Sequence, residues 1–278
     1  MAIDIHSANF LRNEARHGLA LGDLLTLGHQ SVHLDPETYR SLLASLGATC
    51  QDYVFADDFF RALGAKSLNI MDVSDYEGAN ILHDLNQPIS ADLREKFDCV
   101  FDGGALEHVF NFPQALRNCM EMVKVGGHFT AITPTAAYCG HGFYQFSPEL
   151  FYGALSFENG FTLERMLFLH RGKWYAVRNP AEIRERVELF TAEPTLLFIC
   201  ARRRERKQIF ARWPQQSDYA LAWANASVAG RAEPKSLKDR LLNANWALRD
   251  LQRIWREHKR LRAGKPSNQT RFSPFTLD

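Results

Sequence analysis

The residues of this chain best suited to chemistry are histidines and carboxylates set close to glycines. His141 stands within Cys139-Gly140-His141-Gly142-Phe143-Tyr144-Gln145. The flanking glycines let the backbone approach a ligand, and an imidazole titrates near neutrality, where it can take a proton from an attacking hydroxyl. His141 therefore reads as a general base or substrate contact, the alternative being a histidine that braces its loop. Tyr144 and Gln145 are candidate substrate contacts, and Phe143, Tyr144 and Phe146 suit a sugar face or an apolar pocket. His108 directly follows Glu107. That carboxylate can orient and raise the imidazole or hold a substrate hydroxyl itself, and His108 can equally serve as packing in its loop. His29, His33, His83 and His128 show no partner in the sequence.

These groups need elements to position them, and the sequence supplies strand, loop, helix and strand in order. Phe97-Asp98-Cys99-Val100-Phe101 is an apolar run ending at Asp102-Gly103-Gly104, followed by Ala105-Leu106-Glu107-His108-Val109. Pro113 to Val123 carries apolar residues at helical spacing, and Lys124-Val125-Gly126-Gly127 stops it before the buried run that ends at Pro134. Upstream, Leu24 to Leu27 reads as a strand entering a loop at Gly28. Pro36 to Leu46 and Ala56 to Leu63 read as helices, the first capped by Asp35 with Pro36 at its first position. Ser67 to Val73 is a second strand, and Ala79 to Leu85 follows with almost no helix between. Downstream, Ser147 caps a helix running from Pro148 to about Phe157, and Phe161 to Arg171 and Pro194 to Arg202 close the sheet. Ligands of an open α/β sheet bind beyond the carboxyl ends of its strands, where strand order reverses. Gly28, Asp72, Asp84, Gly103 and Pro134 all fall at such ends, and a carboxylate at Asp72 has the two acceptor oxygens that a ribose diol needs.

The FD-x-V strand at Phe97, the Leu106-Glu107-His108-Val109 loop, the helix ending in Val123-Lys124-Val125-Gly126-Gly127 and the strand ending in Thr133-Pro134 resemble the second half of class I S-adenosylmethionine-dependent methyltransferases. The resemblance covers about residues 20 to 204. It implies a Rossmann-like, doubly wound, mostly parallel seven-stranded α/β sheet with an antiparallel last strand. It also implies S-adenosyl-L-methionine as cofactor, with Leu27 and Gly28 beside its methionine part, Asp72 on the ribose, Asp84 on the adenine amino group, Leu85 against the ring and Gly103 in the crevice. Members of the family have several glycines in the first loop, where this chain has Gly28 alone. The Gly-His-Gly-Phe-Tyr-Gln-Phe-Ser-Pro-Glu segment resembles bacterial methyltransferases of surface-polysaccharide or glycolipid assembly, which implies O-methylation of a glycan or other small-molecule hydroxyl. A likeness of Phe101-Asp102-Gly103-Gly104 to metal-dependent sugar methyltransferases brings Asp102, Glu107 and Asp84 forward as oxygen ligands, but no spacing demands a metal, and none is expected.

With 278 residues, 46% of them apolar, the chain can fill a large α/β core with an appendage. It has no run of about eighteen apolar residues to span a bilayer, and Met1 to Arg16 lacks the apolar segment of a signal peptide, so a cytoplasmic protein is expected. The five cysteines are scattered, without zinc spacing. A net charge of +1 conceals an asymmetry: Ala201 to Lys265 holds 17 Lys/Arg against 6 Asp/Glu. The expected division is a methyltransferase-like domain over residues 1–204 and a basic helical extension over 205–278. Within the latter, Ser236 to Leu261 repeats Leu237, Leu241, Ala244, Leu248, Leu251 and Trp255 at helical steps, a face that needs its own domain or a second subunit, hence a homodimer, as cover. Ala263 to Asp278 reads as a loose tail. The basic surplus suits an anionic glycan or a membrane surface, making the protein membrane-peripheral. Nucleic acid is a poorer match, because the Arg202 to Lys207 cluster alternates little with aromatics and no Asn-Pro-Pro-Tyr motif follows the fourth strand. A non-enzymatic assembly module built on the same fold is the remaining alternative.

Overall fold

The computed structural model describes residues 2–219, 222–223 and 246–278. Its elements in chain order are β1 (Ala2–Ile3), α1 (Ile5–Arg16), β2 (Gly22–Leu27), β3 (Ser31–Val32), α2 (Pro36–Ser45), α3 (Asp57–Ala62), β4 (Ala65–Asp72), β5 (Ile81–Leu82), β6 (Phe97–Asp102), α4 (Phe112–Met122), β7 (Val123–Ala136), α5 (Pro148–Ala154), β8 (Phe161–His170), β9 (Lys173–Val177), α6 (Pro180–Ile183), β10 (Thr195–Arg203), α7 (Trp246–Ala263) and β11 (Phe272–Phe275). The caps follow the sequence: Asp35 accepts from the amides of Glu37 and Thr38 at the start of α2, and Ser147 from Glu149 at the start of α5.

Nine strands form one mixed sheet in the order β11-β9-β8-β10-β7-β6-β2-β4-β5. From β5 to β7 every pairing is parallel, whereas β10 runs antiparallel between β7 and β8. Strand order reverses between β2 and β6, so a crevice opens beyond the carboxyl ends of these two strands. The sheet is buried on both faces. Leu25, Val100, Leu197 and Ile199 pack with α4 and α5 on one side, and Leu24, Cys99, Phe101 and Phe198 with α1, α2 and α3 on the other. Adjacent residues of one strand thus feed opposite layers, as the two-residue period of a strand requires.

Two expectations are corrected here. The expected seven strands become nine because β9 folds back on β8 as a hairpin partner and β11 pairs antiparallel with β9. The second pairing also overturns the loose tail. Phe272 is fully buried, and the Asp278 amide donates to Asn13 Oδ1 at 3.0 Å, so the segment after α7 is held by the core and by α1. Of the long helical pattern, α7 is described, with Ile254 and Trp255 exposed; residues 236–245 lie outside the described residues. No helix among the described residues is long and apolar enough to cross a membrane.

Candidate active site

The crevice at the strand-order reversal holds a cavity of about 420 Å³ lined by Leu27, Gly28, Asp72, Asp84, Leu85, Gly104 and His108, among others. Five of the six residues expected to meet a cofactor are therefore brought together. Gly103 is the exception. It faces the Gln30 carboxamide, and a Cβ there would run into Oε1 of that side chain; its neighbour Gly104, at φ +101°, is the glycine at the cavity wall.

A single glycine suffices in the first loop because side chains take over the bracing. Gly28 turns at φ +67° and donates its amide to Met71 O at 2.8 Å, tying the end of β2 to the end of β4. Gln30 is buried and donates from Nε2 to Leu27 O at 2.8 Å. His29 stacks on Phe55, with 3.5 Å between ring centroids, and places its ring nitrogens 2.9 Å from Asp57 Oδ1 and 2.7 Å from Glu77 O. These partners lie 28 and 48 residues away, beyond the reach of any local pattern.

Asp72 and Asp84 each spend one oxygen on their own backbone. Asp72 Oδ1 accepts from Val73 N at 2.6 Å, and Asp84 Oδ1 accepts from Asn86 N at 2.9 Å, the turn-capping role open to such a residue before Asn-Gln-Pro. The hydrogen bonds from Asn86 hold the Asp84 carboxyl below the usual carboxylate range. Among the described residues none donates to Oδ2 of either aspartate, so each keeps an acceptor for a ligand in the cavity. A nucleoside, whose ribose diol and exocyclic amine are donors, matches this pair of acceptors.

The second cluster is built around Asp102, fully buried at the end of β6. Its Oδ1 accepts from the amides of Gly104, Ala105 and Leu106 at 3.2, 2.7 and 3.4 Å, winding the single 3-10 turn Leu106–His108. That turn presents Glu107 and His108. Glu107 is only 2% exposed, with Thr133 Oγ1 at 3.4 Å as its side-chain hydrogen-bond donor. Burial pushes the carboxyls of both Asp102 and Glu107 up from their ordinary values, and for Asp102 the charge of Glu107 adds to it.

The loop after β7 is fastened to Glu107. Phe143 N and Tyr144 N both donate to Glu107 O, at 2.7 and 3.3 Å. Gly142 is required there: a Cβ would lie 2.8 Å from that same carbonyl, and its φ is +74°. His141 Nε2 consequently stands 3.7 Å from Glu107 Oε1, and its ring lies edge-on to His108 at 5.0 Å. Partial burial, and then the neighbouring His141, push the His108 pKa down.

Tyr144 and Gln145 are used within the loop itself. The Tyr144 hydroxyl donates to Phe110 O at 2.7 Å, and Gln145 Oε1 accepts from Tyr138 N at 2.8 Å. The exposed aromatic pair in this region is Phe143 with Phe110, their rings T-shaped at 5.7 Å. Phe110 was missed from sequence, where it passes for the apolar residue that precedes a helix. Asp102 faces the turn that it caps, and Asp84 lies in the wall of the cofactor cavity.

No protein-family model matches the chain, and no curated protein matches it. Among solved structures it is similar to 1,6-didemethyltoxoflavin-N1-methyltransferase of Burkholderia thailandensis, crystallised with S-adenosylhomocysteine, at 14% identity and a TM-score of 0.40 over 71% of this chain and 77% of that one. It is also similar to the N-methyltransferase NodS of Bradyrhizobium japonicum, at 15% identity and a TM-score of 0.40 over 72% and 96%, and to the YcgJ protein of Bacillus subtilis, at 10% and 0.41 over 72% and 100%. Independently of these likenesses, the parallel β5-to-β7 core with the antiparallel β10 inserted is the arrangement that the sequence resemblance to the class I enzymes implies.

Proposed function

We propose that this protein is an S-adenosylmethionine-dependent methyltransferase acting on a hydroxyl of a glycan, glycolipid or other small molecule. The observation that carries the reading is the convergence, on one crevice at the strand-order reversal, of a cavity edged by Asp72 and Asp84 with the Glu107, His108 and His141 cluster beside it. The cofactor, when bound, supplies an activated methyl group on a sulfonium. The chain's own task is then alignment and proton removal. Leu27, Gly28, Asp72, Asp84 and Leu85 hold the nucleoside side, and His108 reaches both the cavity and the cluster. Fixing the reactants in attack geometry can contribute about 7–11 kcal/mol in favourable model systems. An alcohol loses its proton as it attacks, and the imidazole of His108 or His141, beside Glu107, is the acceptor for it.

The aromatic edges at Phe110 and Phe143 suit the apolar face of a sugar ring. The basic extension suits an anionic glycan or lipid surface: Arg256 and Lys259 are exposed beside the exposed Ile254 and Trp255 on α7. Calorimetric titration with S-adenosylmethionine and S-adenosylhomocysteine tests the reading. Micromolar binding that Asp72→Ala abolishes supports it and directs a screen of glycan acceptors; no binding of either compound overturns it.

A further inference from the structure

We propose that Glu107, His108 and His141 together bind a divalent first-row transition-metal ion, and that this ion holds the oxygen of the acceptor. One ligand atom from each of the three side chains lies within 4.8 Å of the other two. Two imidazoles and a carboxylate form a donor set of intermediate hardness, suited to zinc, manganese, cobalt or iron rather than to magnesium or calcium, which prefer all-oxygen shells. Metal bonds to such ligands are about 2.0–2.2 Å long, so the three atoms need to close to within about 4 Å of one another. His108 and His141 are both exposed, and rotation of either side chain supplies that movement.

Two further observations point to a cation. Glu107 is a buried carboxylate whose contacts to the side chains around it are long, Thr133 Oγ1 at 3.4 Å and His141 Nε2 at 3.7 Å. A carboxylate withdrawn from water with such long contacts calls for a positive partner. The backbone also fixes the geometry from two directions. Asp102 winds the turn that carries Glu107 and His108, and the Glu107 carbonyl holds the loop that carries His141. This set differs from the Asp102, Glu107 and Asp84 ligands that the sequence suggests: Asp102 is fully buried and winds its own turn, and Asp84 lies in the wall of the cofactor cavity.

Three protein ligands leave coordination positions open, as catalytic metal sites do. With both imidazoles on the metal neither is free to take a proton, so in the metal-bound form the ion replaces the imidazole base: an acceptor hydroxyl at an open position is acidified, its proton passes to solvent, and it is held as an oxygen nucleophile beside the cofactor cavity that His108 also lines. The role in acceptor binding rests on the methyltransferase reading; the binding of the metal does not.

The test uses full-length protein stripped with a chelator and titrated with Co²⁺ and Zn²⁺, followed by calorimetry and by the visible absorption of Co²⁺. One site per chain is expected, with ligand-field bands of mixed nitrogen and oxygen coordination. His108→Ala, His141→Ala and Glu107→Gln should each weaken binding by about tenfold or more. The two histidines are exposed, so their loss leaves the core intact. Asp72→Ala should retain metal and lose S-adenosylhomocysteine. Metal binding without binding of S-adenosylhomocysteine would sink the methyltransferase reading and leave the metal site standing. Affinity for both ions unchanged in all three ligand variants, or no stoichiometric binding to the unaltered protein, would overturn the metal site even if the cofactor binds.

Discussion

Glu107 concentrates more of this protein's proposed chemistry than any other residue. Its carboxylate faces His141, its carbonyl holds two amides of the following loop, and its turn is wound by a buried aspartate. His141→Ala should therefore lower turnover by about 10²- to 10⁴-fold while leaving S-adenosylhomocysteine affinity within about twofold; steady-state kinetics beside calorimetry distinguish this from general damage, in which both fall together. Gly142→Ala strains a left-handed backbone position and presses a methyl group against the Glu107 carbonyl. It should raise the acceptor KM with a change in Tm of only a few degrees, roughly that of a 1 kcal/mol strain, readable from acceptor saturation curves and a thermal melt. At this scale the sequence was informative where a residue sits at the end of a strand: Leu27, Gly28, Asp72, Asp84 and Leu85 all reach the cavity. It was silent on His29 and Phe110, whose roles depend on partners 28 and 33 residues distant. Gly103 was misread because two consecutive glycines do different work, one making room for Gln30 and its neighbour forming the cavity wall.

Among the elements, β6, α4 and β7 were the most legible, because a buried run, a helical period and a glycine pair follow one another without overlap. The hairpin strand β9 was not, since Lys173–Val177 is mostly half-exposed and its sequence lacks a clear alternation. β11 carries a proline and pairs with residues about a hundred positions earlier, a relation that no local pattern contains. Its attachment has a measurable energy: Phe272 is fully buried against Phe168, and Phe272→Ala should cost about 3–5 kcal/mol in chemical denaturation. At the junction of β7 with β10, His128 is buried with its Nε2 3.5 Å from Glu164. Burial holds its pKa below the ordinary 6.5, outweighing Glu164. Below that pH the unfolded chain binds a proton that the native histidine refuses. Stability is thus intact above about pH 6.5 and falls as the pH drops towards the depressed value. His128→Gln should flatten the decline of Tm between about pH 7 and pH 5 relative to the unaltered protein.

For the molecule as a whole, the charge asymmetry of the sequence has a location. The exposed residues of α7 combine cations with Ile254 and Trp255, so co-sedimentation with vesicles rich in an anionic phospholipid should exceed that with neutral vesicles and decline as salt is raised towards 0.5 M, about three times the ionic strength at which charges are screened over some 8 Å. Equal binding to both vesicle types, or none, would remove the lipid surface as a partner. The nine-stranded sheet has one more property that follows from its ends. Among the described residues it stops on one side at β5, two residues long, and on the other at β11, which contains Pro274. A strand so short, and a strand whose proline lacks an amide hydrogen, are poor templates for an incoming chain. Removing the segment from Phe272 onward would expose the edge of β9, with its Trp174, Tyr175 and Val177, to pairing between molecules. The last strand therefore acts as a guard against aggregation, and the shortened protein should be recovered chiefly as insoluble material.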